Sequence, residues 1–130
     1  MTSVTDLDLV GVRDALKARE ISAVELTLDC LERFEKAQPI LNCVIRLEPD
    51  EALADARRAD ARAGRGETFG PLHGVPLAHK DMFYRAGKVT TCGSKIRKNF
   101  VPDRTATVLN RLDAAGAIHL ANLNLSLIHI

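Results

Sequence analysis

The chain has no tryptophan, and aromatic residues make up only 4% of it, with Tyr84 the single tyrosine. A surface that stacks unpaired bases needs several rings along one groove, so the composition argues against a stacking platform for single-stranded nucleic acid. An excess of one charge is missing too. Eighteen basic against 17 acidic side chains leave a net charge of +1, too balanced for a dedicated DNA-binding domain. The three cysteines, Cys30, Cys43 and Cys92, are odd in number and widely spaced. Neither they nor the four histidines form a Cys-x-x-Cys or His-Glu-x-x-His pattern, so no zinc cage is expected. No uncharged apolar run approaches the about 20 residues that span a bilayer, and Met1 to Asp6 lacks the basic-then-apolar pattern of a secretory signal. The expectation is a reduced, cytoplasmic protein with no membrane partner.

What is present is ordinary for a folded domain: 130 residues, 46% hydrophobic and 27% charged. The near-neutral average conceals a split. Residues 1–69 carry 10 basic and 14 acidic side chains, and residues 70–130 carry 8 and 3. The two halves also differ in pattern, the first mainly helical and the second built of short apolar runs and loops.

Leu9, Val12 and Leu16 recur at helical spacing behind Asp6 or Asp8 as an N-cap. Ser22 and Glu25 have capping-box spacing and open a second helix, with Val24, Leu28, Leu31 and Phe34 as its apolar stripe and Pro39 as its end. Asn42–Leu47 reads as a strand. A third helix starts at Pro49-Asp50, carries Ala52, Ala56, Ala59 and Ala63 on one face and Asp55, Arg57, Arg58 and Asp60 on the other, and ends at Gly64-Arg65-Gly66. Val75–Ala78 suits a buried strand, although Pro76 donates no ladder hydrogen bond. A fourth helix begins near Thr105, turns Val108, Leu109 and Leu112 inward, and stops at Gly116, before a strand over Ala117–Ala121. Helices alternating with short strands give an α/β class. Three strands leave sheet edges open, with Ala117–Ala121 expected as one such edge, so the chain reads as part of a larger sheet.

Chemistry-bearing groups are few. Gly64, Gly66 and Gly70 precede a strand instead of following one, the wrong order for a dinucleotide-binding turn. Ser94 sits in a Gly-Ser turn without a nucleophile elbow. His73 and His79 flank one apolar segment without a second ligand at metal spacing, and His119 falls in a strand pattern. Lys95, Arg97, Lys98 and Arg104 form a basic loop, by default a solvated one. Lys80 ends the Val75–Ala78 run between His79 and Asp81. It is either a strand-end lysine reaching water or a lysine held as a base.

One segment decides between these. Gly70-Pro71-Leu72-His73-Gly74-Val75-Pro76-Leu77-Ala78-His79-Lys80-Asp81 followed by Thr90-Thr91-Cys92-Gly93-Ser94 resembles the amidase signature family. Phe100–Val108, Leu112–Ala117, Ile21–Leu26 and Leu41–Val44 continue the likeness, which covers residues 7 to 126. The resemblance implies the N-terminal part of a single mixed-sheet α/β/α amidase domain, incomplete here. It implies hydrolysis of a carboxamide by a Ser–cis-Ser–Lys triad, in which Lys80 is the lysine and both serines lie downstream of Ile130. The 130-residue chain by itself is then expected to be inactive. No cofactor or metal is implied. The implied partner is a small-molecule amide substrate, and a homodimer is a further expectation. His79 replaces the family's usual aliphatic residue, and Met82 its usual asparagine. The apolar run before Lys80 is expected to desolvate it, with Asp81 turned away to bond backbone.

Two alternatives remain. Thr91–Ile96 and Asn99–Pro102 resemble the amide-cleaving component of tRNA-dependent amidotransferases, which would bring tRNA in as a partner. A non-enzymatic interaction module is the other reading. Finally, Leu125–Ile130 is also what the codons CTG TCT CTT ATA CAC ATC encode, the end of a common sequencing adapter. The expectation is that the native sequence departs from this one near Leu125.

Overall fold

The computed structural model describes residues 6–67 and 70–125. In chain order it contains α1 (Leu9–Ala18), α2 (Ala23–Leu41), β1 (Val44–Leu47), α3 (Pro49–Gly64), β2 (Pro76–Lys80), α4 (Thr107–Ala114) and β3 (Ile118–Leu123), with a 3-10 turn at Lys95–Arg97. The three strands form a mixed sheet in the order β1-β3-β2, which agrees with the expected α/β class. The tail from Ser126 onward, where a departure from native sequence is expected, lies outside the described residues.

β3 is the central strand and not the open edge expected of Ala117–Ala121. It runs antiparallel to β1, with Leu47 opposite Ala121, and parallel to β2, with Pro76 opposite Ile118 and Lys80 opposite Leu123. Pro76 is therefore tolerated for two reasons: it is the first residue of its strand, and that strand pairs on one side only among the described residues. The parallel pair needs a long crossover, which the 37 residues from Asp81 to Ala117 supply.

The helices start and stop where their caps dictate. Asp8 accepts from the Gly11 N–H to cap α1, and Ser22 and Glu25 form the reciprocal capping box of α2. Pro39 does not end α2, which continues to Leu41 and closes on Asn42 in the left-handed conformation. In the last turn a proline removes only one i−4 hydrogen bond, and the carbonyl released belongs to Glu35, an exposed residue that water can serve. The Gln38 amide then pairs with both backbone groups of Val44, at 2.9 and 2.8 Å, and fixes the start of β1.

The core lies where α3 crosses β3 and α2. Ala52, Ala56 and Ala59 meet Ile118, Leu120 and Ala121 of the strand and Ala23 and Leu31 of α2. Small side chains let the helix backbone approach the sheet closely, as their spacing predicts. The α2 stripe is rotated from the expected one: Leu26, Thr27 and Leu31 are buried, whereas Leu28 is 49% exposed. Leu9 and Val108 likewise face outward, leaving Ala15 and Leu109 as the buried residues of α1 and α4.

Asp60 also departs from expectation. It is not on a solvated face; its carboxylate accepts from the N–H groups of Ala23 and Val24, at 2.7 and 3.1 Å. α3 thus caps the N-terminus of α2 from a distance, adding to the local capping box. Asp60→Ala should destabilise the purified protein by about 1–2 kcal/mol in urea unfolding. Asp55→Ala, which removes only the exposed pair with Arg58, should cost less than about 0.5 kcal/mol. Equal losses for the two variants would show that the Asp60 cap contributes nothing.

Candidate active site

Lys80 is the last residue of β2, and the parallel register sets it opposite Leu123, the last residue of β3. In open α/β sheets, ligands collect outside the carboxyl ends of the strands, and Lys80 stands at that end. Its side chain is exposed, and no hydrogen bond or ion pair engages its ammonium among the described residues. In this chain the preceding apolar run does not enclose Lys80; the desolvation is expected of the complete enzyme. Val75 is 6% exposed and Ala78 packs against the helix-covered core, so their apolar surface is spent on the core and not around Lys80.

Asp81, by contrast, is 1% exposed. One carboxylate oxygen accepts from the Thr91 N–H at 2.8 Å and the Thr91 hydroxyl at 2.5 Å, and the other accepts from the Asn122 amide at 2.8 Å. Its backbone is tied as well, its N–H donating to the Leu123 carbonyl at 3.1 Å and its carbonyl accepting from the Cys92 N–H at 2.9 Å. The expectation that Asp81 turns to backbone is met by one of three donors; the other two are side chains. Thr91 and Asn122 are thus residues of this centre to which sequence reasoning assigned no role. The available signal is a polar residue, Thr91, inside a segment matched to the family motif, and another, Asn122, directly after the expected strand Ala117–Ala121.

On the same strands, His79 and His119 stack with ring centroids 4.6 Å apart and planes 23° apart, and Phe83 meets His79 edge-on at 6.2 Å. His79 is 7% exposed. Its Nδ1–H donates to the Lys80 carbonyl at 3.0 Å, which leaves Nε2 buried without a partner among the described residues. The Nε2–H of His119 donates to the Ala121 carbonyl at 3.1 Å. Burial pushes the His79 imidazole below its usual range, against the favourable Lys80 carbonyl bond, and Arg85 opposes protonation further. His119 is pushed down to about 4, first by burial and then by His79 and Arg85. Both rings are neutral near pH 7.

Other candidates stand apart from this centre. His73 donates to the Ala59 carbonyl at 3.0 Å, and Ser94 accepts from the Ile96 N–H to cap the 3-10 turn. Of the basic loop, Arg97 folds back, its guanidinium 4.1 Å from the Phe100 ring centroid and bonded to the Tyr84 hydroxyl at 2.6 Å. Lys95, Lys98 and Arg104 remain exposed. No described helix is long and apolar enough to cross a membrane.

Comparison with known proteins places this geometry. A family model described as Amidase matches residues 25–129. The A-type subunit of glutamyl-tRNA(Gln) amidotransferase from Chloroflexus aurantiacus is 44% identical over 124 residues, covering 95% of this chain and 26% of that protein. Its counterpart of the same name from Aromatoleum aromaticum is 48% identical over 117 residues, covering 90% and 24%. Among solved structures, the native peptide amidase from Stenotrophomonas maltophilia superposes with a TM-score of 0.86 at 35% identity, over 95% of this chain and 26% of that one. The chain therefore spans about a quarter of the length of the relatives it matches.

The histidine pair generates a pH dependence whose sign is fixed. Both imidazoles have folded-state values below the ordinary 6.5, so between about pH 4 and 6.5 the unfolded chain binds more protons than the folded one. The stability they contribute is present above 6.5 and is lost as pH falls through that window. Between about pH 6.5 and 5, above most carboxylate titration, the thermal midpoint should fall, and His119→Phe should flatten that slope while keeping a stacked ring. An unchanged slope in the variant would move the cause elsewhere.

Proposed function

The chain belongs to the amidase-signature family, and we propose that it carries the base of an amide-cleaving site, with Lys80 as that base. The observation supporting this reading is the placement of Lys80: an ammonium committed to no partner among the described residues, at the carboxyl end of a parallel strand, beside an aspartate whose carboxylate is fully engaged elsewhere.

The chemistry asked of Lys80 is proton transfer. A hydroxyl is a weak nucleophile, and a neutral amine within reach, directly or through a second hydroxyl, accepts its proton as it attacks the amide carbonyl. The same proton then goes to the departing nitrogen as the C–N bond breaks, and water releases the acyl group as carboxylate. The two hydroxyls are assigned to serines of the longer family domain, and the substrate class is a carboxamide that yields ammonia or an amine. No metal or organic cofactor enters this scheme.

The peptide amidase at 35% identity fits an enzyme that hydrolyses its amide outright. A second reading is favoured by the two amidotransferase components at 44% and 48% identity: ammonia released from glutamine for use on a tRNA-bound substrate. Both readings need the same base and differ in the amide taken and in the fate of the ammonia.

The protein expressed from its complete gene should release ammonia from benzamide if it is a free-standing amidase, and prefer L-glutamine under the second reading. Lys80→Ala and Lys80→Arg should each lower kcat by at least about a hundredfold, because a guanidinium keeps its proton at any working pH. An active Arg variant would show that Lys80 acts as a fixed positive charge and not as a base.

A further inference from the structure

Resting on the reading of Lys80 as base, we propose that Asp81, acting through Thr91 and Asn122, is the positioning residue that holds the end of β2 and thereby the place from which Lys80 reaches the reacting atoms. A carboxylate that is 1% exposed has surrendered its hydration, and no cation pairs with it among the described residues. Apolar packing of similar volume would fill the same space with less desolvation. What the carboxylate does that an apolar group cannot is direct three hydrogen bonds to donors on two other segments, at 2.8, 2.5 and 2.8 Å.

Those segments are the ones that meet beside Lys80. Asn122 belongs to β3, and Thr91 opens the turn Thr91-Cys92-Gly93-Ser94. The turn is held against its own preferences. Cys92 has φ +53°, a left-handed conformation unfavourable for a side-chain-bearing residue, and Gly93 follows at +69°. A Cβ on Gly93 would sit 2.3 Å from the Leu125 carbonyl oxygen. Backbone in such states persists only where its surroundings over-determine it, and here the fixing bonds are those to Asp81: Thr91 N–H and hydroxyl to the carboxylate, Cys92 N–H to the carbonyl. With its side chain, N–H and carbonyl all engaged, residue 81 has no freedom to rotate, and Lys80 is joined to it by one peptide bond.

Asparagine at 81 would turn an amide donor toward Thr91 or Asn122, both of which already donate, so Asp81→Asn is a severe test that risks the fold. Thr91→Val is the milder one: it deletes both bonds of the hydroxyl, the one donated to Asp81 and the 3.2 Å one accepted from the Gly93 N–H, keeps the side chain's shape and leaves the Thr91 N–H bond to Asp81 in place. Thr91→Ser restores the hydroxyl.

The experiment uses the protein expressed from the complete gene, with ammonia release from L-glutamine and benzamide and hydrogen exchange followed by mass spectrometry. Thr91→Val should lower kcat by about ten- to a hundredfold with KM changed less than about threefold, because displacing a catalytic group by about 1 Å costs rates of that order. Thr91→Ser should return kcat to within about threefold of wild type. In a Lys80→Ala background, Thr91→Val should cost less than about twofold, since a residue acting through Lys80 has nothing left to act on; a merely structural role would cost the same in both backgrounds. The Asp81 and Cys92 amides should exchange at least about tenfold faster in Thr91→Val. Unchanged kcat, a loss confined to KM, an additive loss in the double variant, or unchanged exchange would each overturn the positioning role. Full activity in Lys80→Ala, or no turnover by wild type, would instead sink the reading of Lys80 as base, with the exchange result still deciding whether Asp81 and Thr91 lock the strand end.

Discussion

The rest of the structure depends on the parallel pairing of β2 with β3. Parallel neighbours cannot be joined by a tight turn, so the chain must leave the end of β2, travel through a long connection and α4, and return to the same end of the sheet from which β2 began. Because the two strands run the same way, their carboxyl ends coincide, and the residues that follow or end them are brought together: Lys80 and Asp81 from one, Asn122 and Leu123 from the other. The crossover starts at that shared end, which is why the Thr91–Ser94 turn lies within hydrogen-bond reach of Asp81. The placement of Lys80 at the strand end is thus a consequence of topology before it is one of chemistry.

The groups around β3 divide sharply by character. On the helix-packed side, Ala52, Ala56 and Ala59 meet Ile118, Leu120 and Ala121, a dry contact between small and aliphatic groups that is stabilised by burial alone. Elsewhere on the same strands lie His79, His119 and Asn122, with Asp81 just beyond, groups that require partners. Most of those partners are met within the chain. The exceptions among the described residues include His79 Nε2, the Asn122 carbonyl oxygen and Arg85 Nε, all buried. This gathering of polar groups is why the neutral state of the histidines matters: a charge on either ring would be placed beside Arg85 in a site with little water.

Legibility in the sequence followed the range of the interactions involved. Features set within a few residues were readable: the Ser22–Glu25 capping box, the alanine face of α3 and the position of all three strands. Features set by distant partners were not. Leu28 faces outward because Leu26, Thr27 and Leu31 take the buried side of α2, which helical period alone cannot reveal. Asp60 reads as a surface charge until α2 is known to begin beside it. Ala117–Ala121 reads as an edge until β1 and β2 are known to flank it. Lys80 itself was singled out by resemblance, not by periodicity, and its surroundings were anticipated only in part. Asp81 does turn away from it, but through Thr91 and Asn122, 10 and 41 residues along the chain.

The charge asymmetry between the two halves finds its explanation in the same architecture. An acidic first half and a basic second half look, in sequence, like an invitation to an anionic partner. In the structure part of that imbalance is used internally. Lys88, in the crossover, bonds Glu51 near the start of α3 and lies 3.6 Å from Glu48, and Arg46 of β1 donates to the Val89 carbonyl at 3.2 Å. Isolated surface pairs contribute little, and Glu51 is exposed, but Lys88, Glu48 and Arg46 are partly buried, and the Lys88–Glu48 pair and the Arg46–Val89 bond span the two halves, so they hold the crossover against α3 and β1. Arg85 is taken by Asp113, and Arg97 by Tyr84 and Phe100. Lys95, Lys98 and Arg104 are left on an exposed loop, and Lys80 is left at the carboxyl end of a strand. Among the described residues, Lys80 is the one of these cations that is joined directly to the buried network of Asp81, Thr91 and Asn122, so the topology that pairs β2 with β3 also fixes the backbone behind it.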